Sequence, residues 1–214
     1  MEEDPTDVSL EHIDADIRAE IGDPVRLPFA ATVVYLPLFL ISLAIGIFVA
    51  DTIPGPVTSA TGVSTEFALG GGVGLLVVAL TQILTRHVRS FQLLEVELAK
   101  VLGPLTSREI LQFVVLSGLA EEALFRGCIQ PALGYWATSI LFGLVHFVPG
   151  SRVLLPWTLF ALGGGFLFGG LFAWRESLIA PAVAHVVING LNIYMIVQRA
   201  RAARRERNLA AAAT

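Results

Sequence analysis

"LSGLAEEALFRG", residues 116–127, sets Glu121, Glu122 and Arg126 inside a run whose neighbours are apolar on both sides. Charge taken out of water is costly unless it is paired or put to use. The stretch therefore asks for one of two settings: a helix end in water, or a helix crossing a membrane with its charges turned inward. The rest of the chain favours the second. Of its 214 residues 55% are hydrophobic and only 15% charged, and the mean hydropathy is +0.73. A soluble domain of this length carries more charge.

The charge is also segregated. Residues 1–26 and 199–207 hold much of it, and long apolar stretches fill the middle. The net charge of -4 comes largely from the acidic start "MEEDPTDVSLEHIDADIRAE". Nucleic acid is not an expected partner, because no basic patch with interleaved aromatics exists outside the short arginine tail. Cys128 has no second cysteine to pair with. The first residues are acidic and no short apolar core with a small-residue cleavage site follows, so a removable signal peptide is not expected.

The expected fold is an all-α membrane protein with about six transmembrane helices plus interfacial amphipathic helices. Residues 1–28 read as an acidic interfacial segment, with Leu10, Ile13, Ile17 and Ile21 at helical spacing. Residues 29–198 read as the transmembrane bundle. Its spans fall near 29–50, 67–85, 107–132, 137 into the 150s, 155–174 and 178–198. Each has about 20 residues, which fits a hydrocarbon core of about 30 Å.

Residues 51–66 form a polar, turn-rich loop, and 91–102 form a second amphipathic stretch. Thr106 and Glu109 fit a capping box that opens the third span. Pro131 and Gly134 mark that span's end. Residues 199–214 make a basic and then Ala-rich tail, expected to fray. Gly70/Gly74 and Gly165/Gly169 have the small-xxx-small spacing of closely packed helices.

An even number of spans puts both termini on one side. Arg18, Arg26, Arg86, Arg89, Lys100, Arg108, Arg152 and the tail arginines 199, 201, 204, 205 and 207 fall on that side, and Arg175 falls opposite. The positive-inside rule then predicts a cell-membrane protein with both termini cytoplasmic. Trp136, Trp157 and Trp174 sit near span ends, where interfacial aromatics belong.

Polar residues at membrane depth usually face a cavity or one another. Here they are Glu121, Glu122 and Arg126 in the third span, His146 in the fourth, and His185 and Asn189 in the sixth. Glu122 and Arg126 are spaced i, i+4 in the favourable order for an ion pair, which leaves Glu121 free for another partner. His185 and Asn189 share one helix face. At about 1.5 Å per residue, Glu121, His146 and His185 lie roughly 16, 14 and 12 Å from the same edge of their spans. Three helices thus bring polar groups to one level.

A carboxylate there can act as general base on a water, with His146 orienting that water. His185 and Asn189 can donate hydrogen bonds to a developing oxyanion. The set suits hydrolysis of a peptide or ester bond without a side-chain nucleophile. Asn192 reads as interhelical glue, and His87 and His12 as surface residues. Cys128 and Ser117 are weak candidates for a nucleophile.

These residues resemble a known family. "EEALFR" (121–126) is similar to the Glu-Glu-x-x-x-Arg motif of the CPBP family, the CAAX-protease and bacteriocin-processing proteins also called Abi. "FGLVH" (142–146) matches its Phe-x-x-x-His motif and "HVVIN" (185–189) its His-x-x-x-Asn motif, in the family's order. The resemblance covers about 105–195, the expected protease core. It implies an intramembrane endopeptidase acting on membrane-associated or lipidated peptides, as in CAAX processing. Glu121 would be the water-activating base and His146 its assistant. His185 and Asn189 would stabilise the oxyanion, and Glu122 and Arg126 would support the site.

Members of the family have been described both as metalloproteases and as metal-independent glutamate proteases. Glu121, His146 and His185 have the chemistry to ligate zinc. The helical His-Glu-x-x-His signature is absent, and the expectation is no cofactor. The competing class is a non-catalytic membrane protein, a proton-coupled carrier or a bacteriocin-immunity-type binder, using the same polar cavity.

Overall fold

The computed structural model describes residues 27–48, 62–102 and 105–212. The amphipathic pattern at 8–21 and the loop residues up to 61 lie outside these. Among the described residues the chain is helical throughout, with short turns between helices and no strand. The helices are α1 (Leu27–Phe48), α2 (Val63–His87), α3 (Arg89–Leu102), α4 (Ser107–Glu122), a π-helical segment (Ala123–Ile129), α5 (Gln130–Val145), α6 (Leu155–Arg175) and α7 (Ile179–Ala212).

Four runs are long and apolar enough to cross a membrane: Val63–His87, Ser107–Val145, Leu155–Arg175 and Ile179–Ala211. Phe29–Ile45 is a shorter apolar helix. The protein is a multi-pass membrane protein, and the expected count of six is approximate. The run Ser107–Val145 accounts for two of the expected spans. Its 39 residues would make a straight helix of about 58 Å, nearly twice a hydrocarbon core of about 30 Å. It breaks at Gly134, whose φ of 79° and ψ of 169° only glycine adopts cheaply.

Several boundaries differ from the sequence reading. The fourth span ends at Val145, and His146 caps it with its N–H on the carbonyls of Gly143 and Leu144. Val63–Glu66 belong to α2 and not to the preceding loop. The Ala-rich tail does not fray: α7 stays helical to Ala212, as alanine's high helix propensity allows. The capping box at Thr106 forms as expected, with Glu109 N–H on Thr106 Oγ1 at 3.3 Å and Thr106 N–H on Glu109 Oε2 at 2.8 Å.

Apolar side chains face outward and charged ones inward. Leu76, Trp136, Leu144, Leu159 and Trp174 are exposed, while the largest fully buried side chains are Arg126, Glu66 and Glu122. This inversion suits a lipid solvent, which welcomes leucine but cannot hydrate a carboxylate. Among the described residues, the fully buried Glu66, Glu122 and Arg126 each sit in an ion pair. Arg175 donates to Glu66 Oε1 from Nε at 3.0 Å and from Nη2 at 2.8 Å, joining the start of α2 to the end of α6. Asn192 is interhelical glue as expected, accepting from Thr81 Oγ1 at 2.8 Å and Gln82 Nε2 at 3.1 Å.

The most extensive packing is α2 on α7 and α5 on α6, and glycine sets both contacts. A Cβ on Gly74 would stand 2.8 Å from Val187 Cβ, and one on Gly165 would stand 2.5 Å from the Ser139 carbonyl oxygen. Gly70 meets Ala180 and Gly169 meets Gln130 and Ser139 in the same way. The two small-xxx-small pairs are therefore contact surfaces, where van der Waals packing replaces the hydrophobic drive that lipid cannot supply. Gly72 borders open space. Gly74→Val is expected to lower stability by about 1–3 kcal/mol through overpacking. Gly72→Val should cost less than half of that. Thermal unfolding of both purified variants in detergent checks this, and equal losses would contradict the packing role.

Candidate active site

Glu121 and Glu122 are the last residues of α4, immediately before the π-helical segment. Single π turns inside α-helices occur often at functional sites, because they shift the faces on either side of them. Here the segment carries Phe125 and Arg126 inward. Arg126 is fully buried. Its Nε lies 3.2 Å from Glu122 Oε2, the i, i+4 pair expected from the sequence. Its Nη2 donates to the Gly165 carbonyl at 3.1 Å, and Ser139 Oγ donates to the same oxygen at 3.0 Å. The guanidinium carbon stands 4.5 Å from the centre of the Phe142 ring, within cation–π range. Arg126 thereby ties α4, α5 and α6 into one unit.

Glu122 has a second partner that the sequence did not reveal. His185 Nδ1 lies 2.8 Å from Glu122 Oε1. A carboxylate oxygen only accepts, so this nitrogen carries the proton and the ring's Nε2 is turned the other way. His185 is buried and stacks on Phe168, with ring centres 4.8 Å apart and planes 12° from parallel. One hydrogen bond and one stacked ring hold the imidazole in place.

His146 reaches the same arrangement by another route. Its Nδ1 lies 2.7 Å from the Phe142 carbonyl oxygen, which again makes Nδ1 the donor. Phe142 and Trp157 flank the ring at centre distances of 4.7 and 5.3 Å. Trp157 thus packs on the site as well as standing near a helix start. Thr158 Oγ1 donates to the His146 carbonyl at 3.1 Å, fixing the turn after α5 onto α6.

Both imidazoles present Nε2 to one atom. Glu121 Oε2 is 3.8 Å from His146 Nε2 and 4.0 Å from His185 Nε2. Gaps of this size are spanned by one water hydrogen-bonded to both sides. The two glutamates divide His185 between them, Glu122 on Nδ1 and Glu121 toward Nε2. Residues 100° apart on a helix thus reach one ring without facing it equally. Asn189 follows His185 by one turn of α7 and is half-buried, and its side-chain amide forms no hydrogen bond among the described residues.

Tyr35 was not expected from the sequence. It comes from α1 and packs edge-on against Phe113 of α4, with ring centres 6.2 Å apart. Its ring thus lies against the helix that ends in Glu121 and Glu122. A tyrosine inside an otherwise apolar span is the one signal that points to it. Two discarded candidates stay apart from the cluster: Ser117 bonds the Val114 carbonyl in its own helix, and Cys128 bonds the Ser42 carbonyl on α1.

A shared zinc asks for closer donors. Two ligand atoms on one tetrahedral zinc stand about 3.3 Å apart, given bonds of about 2.0–2.1 Å. Both gaps from Glu121 Oε2 are wider, and among the described residues no group of three or more His, Cys, Asp or Glu side chains is set to hold a metal ion.

The fold and the cluster together define a class: a multi-pass helical membrane protein with a buried carboxylate facing two oriented imidazoles. Comparison with known proteins narrows it. Residues 104–191 match the family described as type II CAAX prenyl endopeptidase Rce1-like, and the three motifs lie within the matched segment. The uncharacterized protein YpbD of Bacillus subtilis (strain 168) is 33% identical over 94 residues, 43% of this chain and 48% of YpbD. The chain thus matches about half the length of this curated relative. No solved structure matches the chain significantly.

Proposed function

We propose that the chain is an intramembrane endopeptidase that hydrolyses a peptide bond with a water activated by Glu121. The observation that carries this reading is the meeting of Glu121 Oε2 with two Nε2 atoms, at 3.8 and 4.0 Å, in a buried site. The match to the Rce1-like family supports a protease of the CAAX-processing type, and all seven motif residues lie within the matched segment. The substrate class is a membrane-associated or lipidated peptide, which reaches a site among apolar helices more readily than a soluble one.

The reaction divides among the residues by what each has left to offer. His146 spends its Nδ1 proton on the Phe142 carbonyl, so its Nε2 lone pair can accept a hydrogen bond from the water. Glu121 takes the water's proton as the oxygen forms its bond to the scissile carbonyl carbon. Glu122 backs His185 through Nδ1, as a carboxylate steadies an imidazolium. A protonated His185 then donates from Nε2 to the carbonyl oxygen as it becomes an oxyanion, and the unengaged Asn189 amide donates alongside it. Collapse breaks the C–N bond, and the proton held by Glu121 passes to the leaving nitrogen.

The charge count fits this division. Two carboxylates and one guanidinium leave one negative charge, which a protonated His185 cancels, and a neutral cluster costs least in a lipid solvent. Arg126 acts through Glu122 and does not touch the substrate. The reading places both termini on the cytoplasmic side, from the distribution of arginines outside the spans.

Membranes containing wild type or Glu121→Gln should differ by cleaved fragments present only with wild type, and proteomic comparison identifies them. Asn189→Ala should lower turnover of such a substrate by about 10²-fold. Cleavage equal to wild type would remove Asn189 from the oxyanion role, and the absence of any fragment specific to wild type would favour a non-catalytic carrier. We also propose that the reaction is metal-free. Purified protein should keep cleaving after exhaustive chelation, whereas activity lost to chelator and restored by zinc would overturn this.

A further inference from the structure

A groove opens where α3 meets the start of α6. Ser90 and Phe91 line it from α3, and Leu155, Pro156 and Leu159 line it from α6, around a volume of about 470 Å³. Sites for small ligands have this size. Its one charged lining residue is Arg152, which is exposed. Leu155 and Leu159 are exposed as well.

The cation is not neutralised from within the fold. Residues 81–94 and 146–175 include the whole lining and contain no carboxylate. The two carboxylates of α3 have other partners: Glu95 lies 2.7 Å from Arg199, and Glu97 lies 2.8 Å from Lys100. Arg86 and Arg89 are exposed at the turn between α2 and α3, beside Ser90. Among the described residues, Arg86, Arg89 and Arg152 join no ion pair. Three cations gather at one end of the groove and ask for an anion.

Depth says what kind of anion. The apolar runs Val63–His87 and Leu155–Arg175 are long enough to cross a membrane. Arg86 stands at the end of the first, and Arg152 just before the second. Both therefore lie at headgroup level, while Leu155 and Leu159 lead from Arg152 toward the hydrocarbon. An anionic head with an apolar tail matches both parts, whereas a free anion leaves the apolar wall uncovered. At about 100° per residue, Leu155, Pro156 and Leu159 face away from Trp157 and Thr158 of the same helix. Those two hold His146, by a ring contact at 5.3 Å and a hydrogen bond at 3.1 Å. The groove thus turns its back on the Glu121 cluster, which favours a resident lipid over the tail of a substrate.

We propose that the groove between α3 and α6 binds an anionic phospholipid, with its phosphate at Arg152 and an acyl chain along Leu155 and Leu159. A guanidinium can give a phosphate two parallel hydrogen bonds, and Arg86 and Arg89 draw anions to the same end. On the orientation proposed above, the site lies in the cytoplasmic leaflet, where anionic lipids are concentrated. The proposal does not depend on the hydrolytic reading.

The full-length protein in detergent is titrated with phosphatidylglycerol or phosphatidylcholine, and bound lipid is counted by native mass spectrometry. Phosphatidylglycerol should bind first as a single molecule per chain, about 5-fold more tightly than phosphatidylcholine. Arg152→Gln should weaken it by about 5-fold, and Arg152→Lys should keep most of the affinity. Arg204→Gln removes the same charge from the tail and should leave binding within about 2-fold. Leu159→Gln breaks the apolar wall and should weaken binding independently of charge. Inorganic phosphate at matched concentration should not displace the lipid.

Equal retention of the two lipids, equal losses in Arg152→Gln and Arg204→Gln, unchanged binding in Leu159→Gln, or displacement by inorganic phosphate would each overturn the proposal. Displacement by a farnesylated peptide would give the groove to substrate. A dimer that Arg152→Gln dissociates in the absence of lipid would give it to a second copy of the chain. Either result also overturns it.

Discussion

The structure turns on the position of one carboxylate. Glu122 lies between Arg126 Nε at 3.2 Å and His185 Nδ1 at 2.8 Å, and all three side chains are buried. In lipid an unpartnered carboxylate is among the costliest groups a helix can carry, and removing one partner of such a pair is strongly destabilising. The constraint works in both directions. It ties α4 to α7 and, through Arg126 and the Gly165 carbonyl, to α6. It also dictates which nitrogen of His185 bears a proton, and so which one faces Glu121. A structural ion pair and an oriented catalytic group are here the same object.

Close helix approach makes that object possible. Glycines 70, 74, 118, 143 and 165 leave no room for a Cβ at the helix contacts, and Gly169 leaves little. Gly118 seats α4 against Val186, beside His185, and Gly143 seats α5 against Leu162. A Cβ at Gly118 would stand 2.8 Å from Val186 Cγ2 and crowd the helix that carries His185. The π-helical turn adds the remaining adjustment, ending α4 at the two glutamates and sending Arg126 inward. Distances of 3.8 and 4.0 Å at the centre are thus set by packing far from the centre.

Much of this was legible in the residues. Apolar runs marked the helices, the small-xxx-small pairs marked their contacts, and the spacing of 122 and 126 gave the ion pair. The motif positions 121, 146 and 185 do converge. What escaped has a common cause: it depends on which faces meet across long separations. Nothing local to Glu122 announces His185, 63 residues away. Glu66 read as the last residue of a polar, turn-rich loop, and its pairing with Arg175 lies 109 residues away. Tyr35 was one polar atom in an apolar helix. The extra residues of α7 went unread because a basic, Ala-rich end resembles a tail, although its composition favours helix.

The central claim is that both imidazoles are held with the proton on Nδ1 so that Nε2 serves Glu121. Nitrogen-15 magnetic resonance of the histidine rings in lipid measures this directly. The chain has four histidines, so His146→Gln and His185→Gln assign the two that matter. The account predicts a protonated Nδ1 in both rings, with the His185 proton shifted far downfield by its carboxylate acceptor and returning toward an ordinary value in Glu122→Gln. A bare Nδ1 on His185 in the wild-type protein would contradict it, because Glu122 would then not orient the ring.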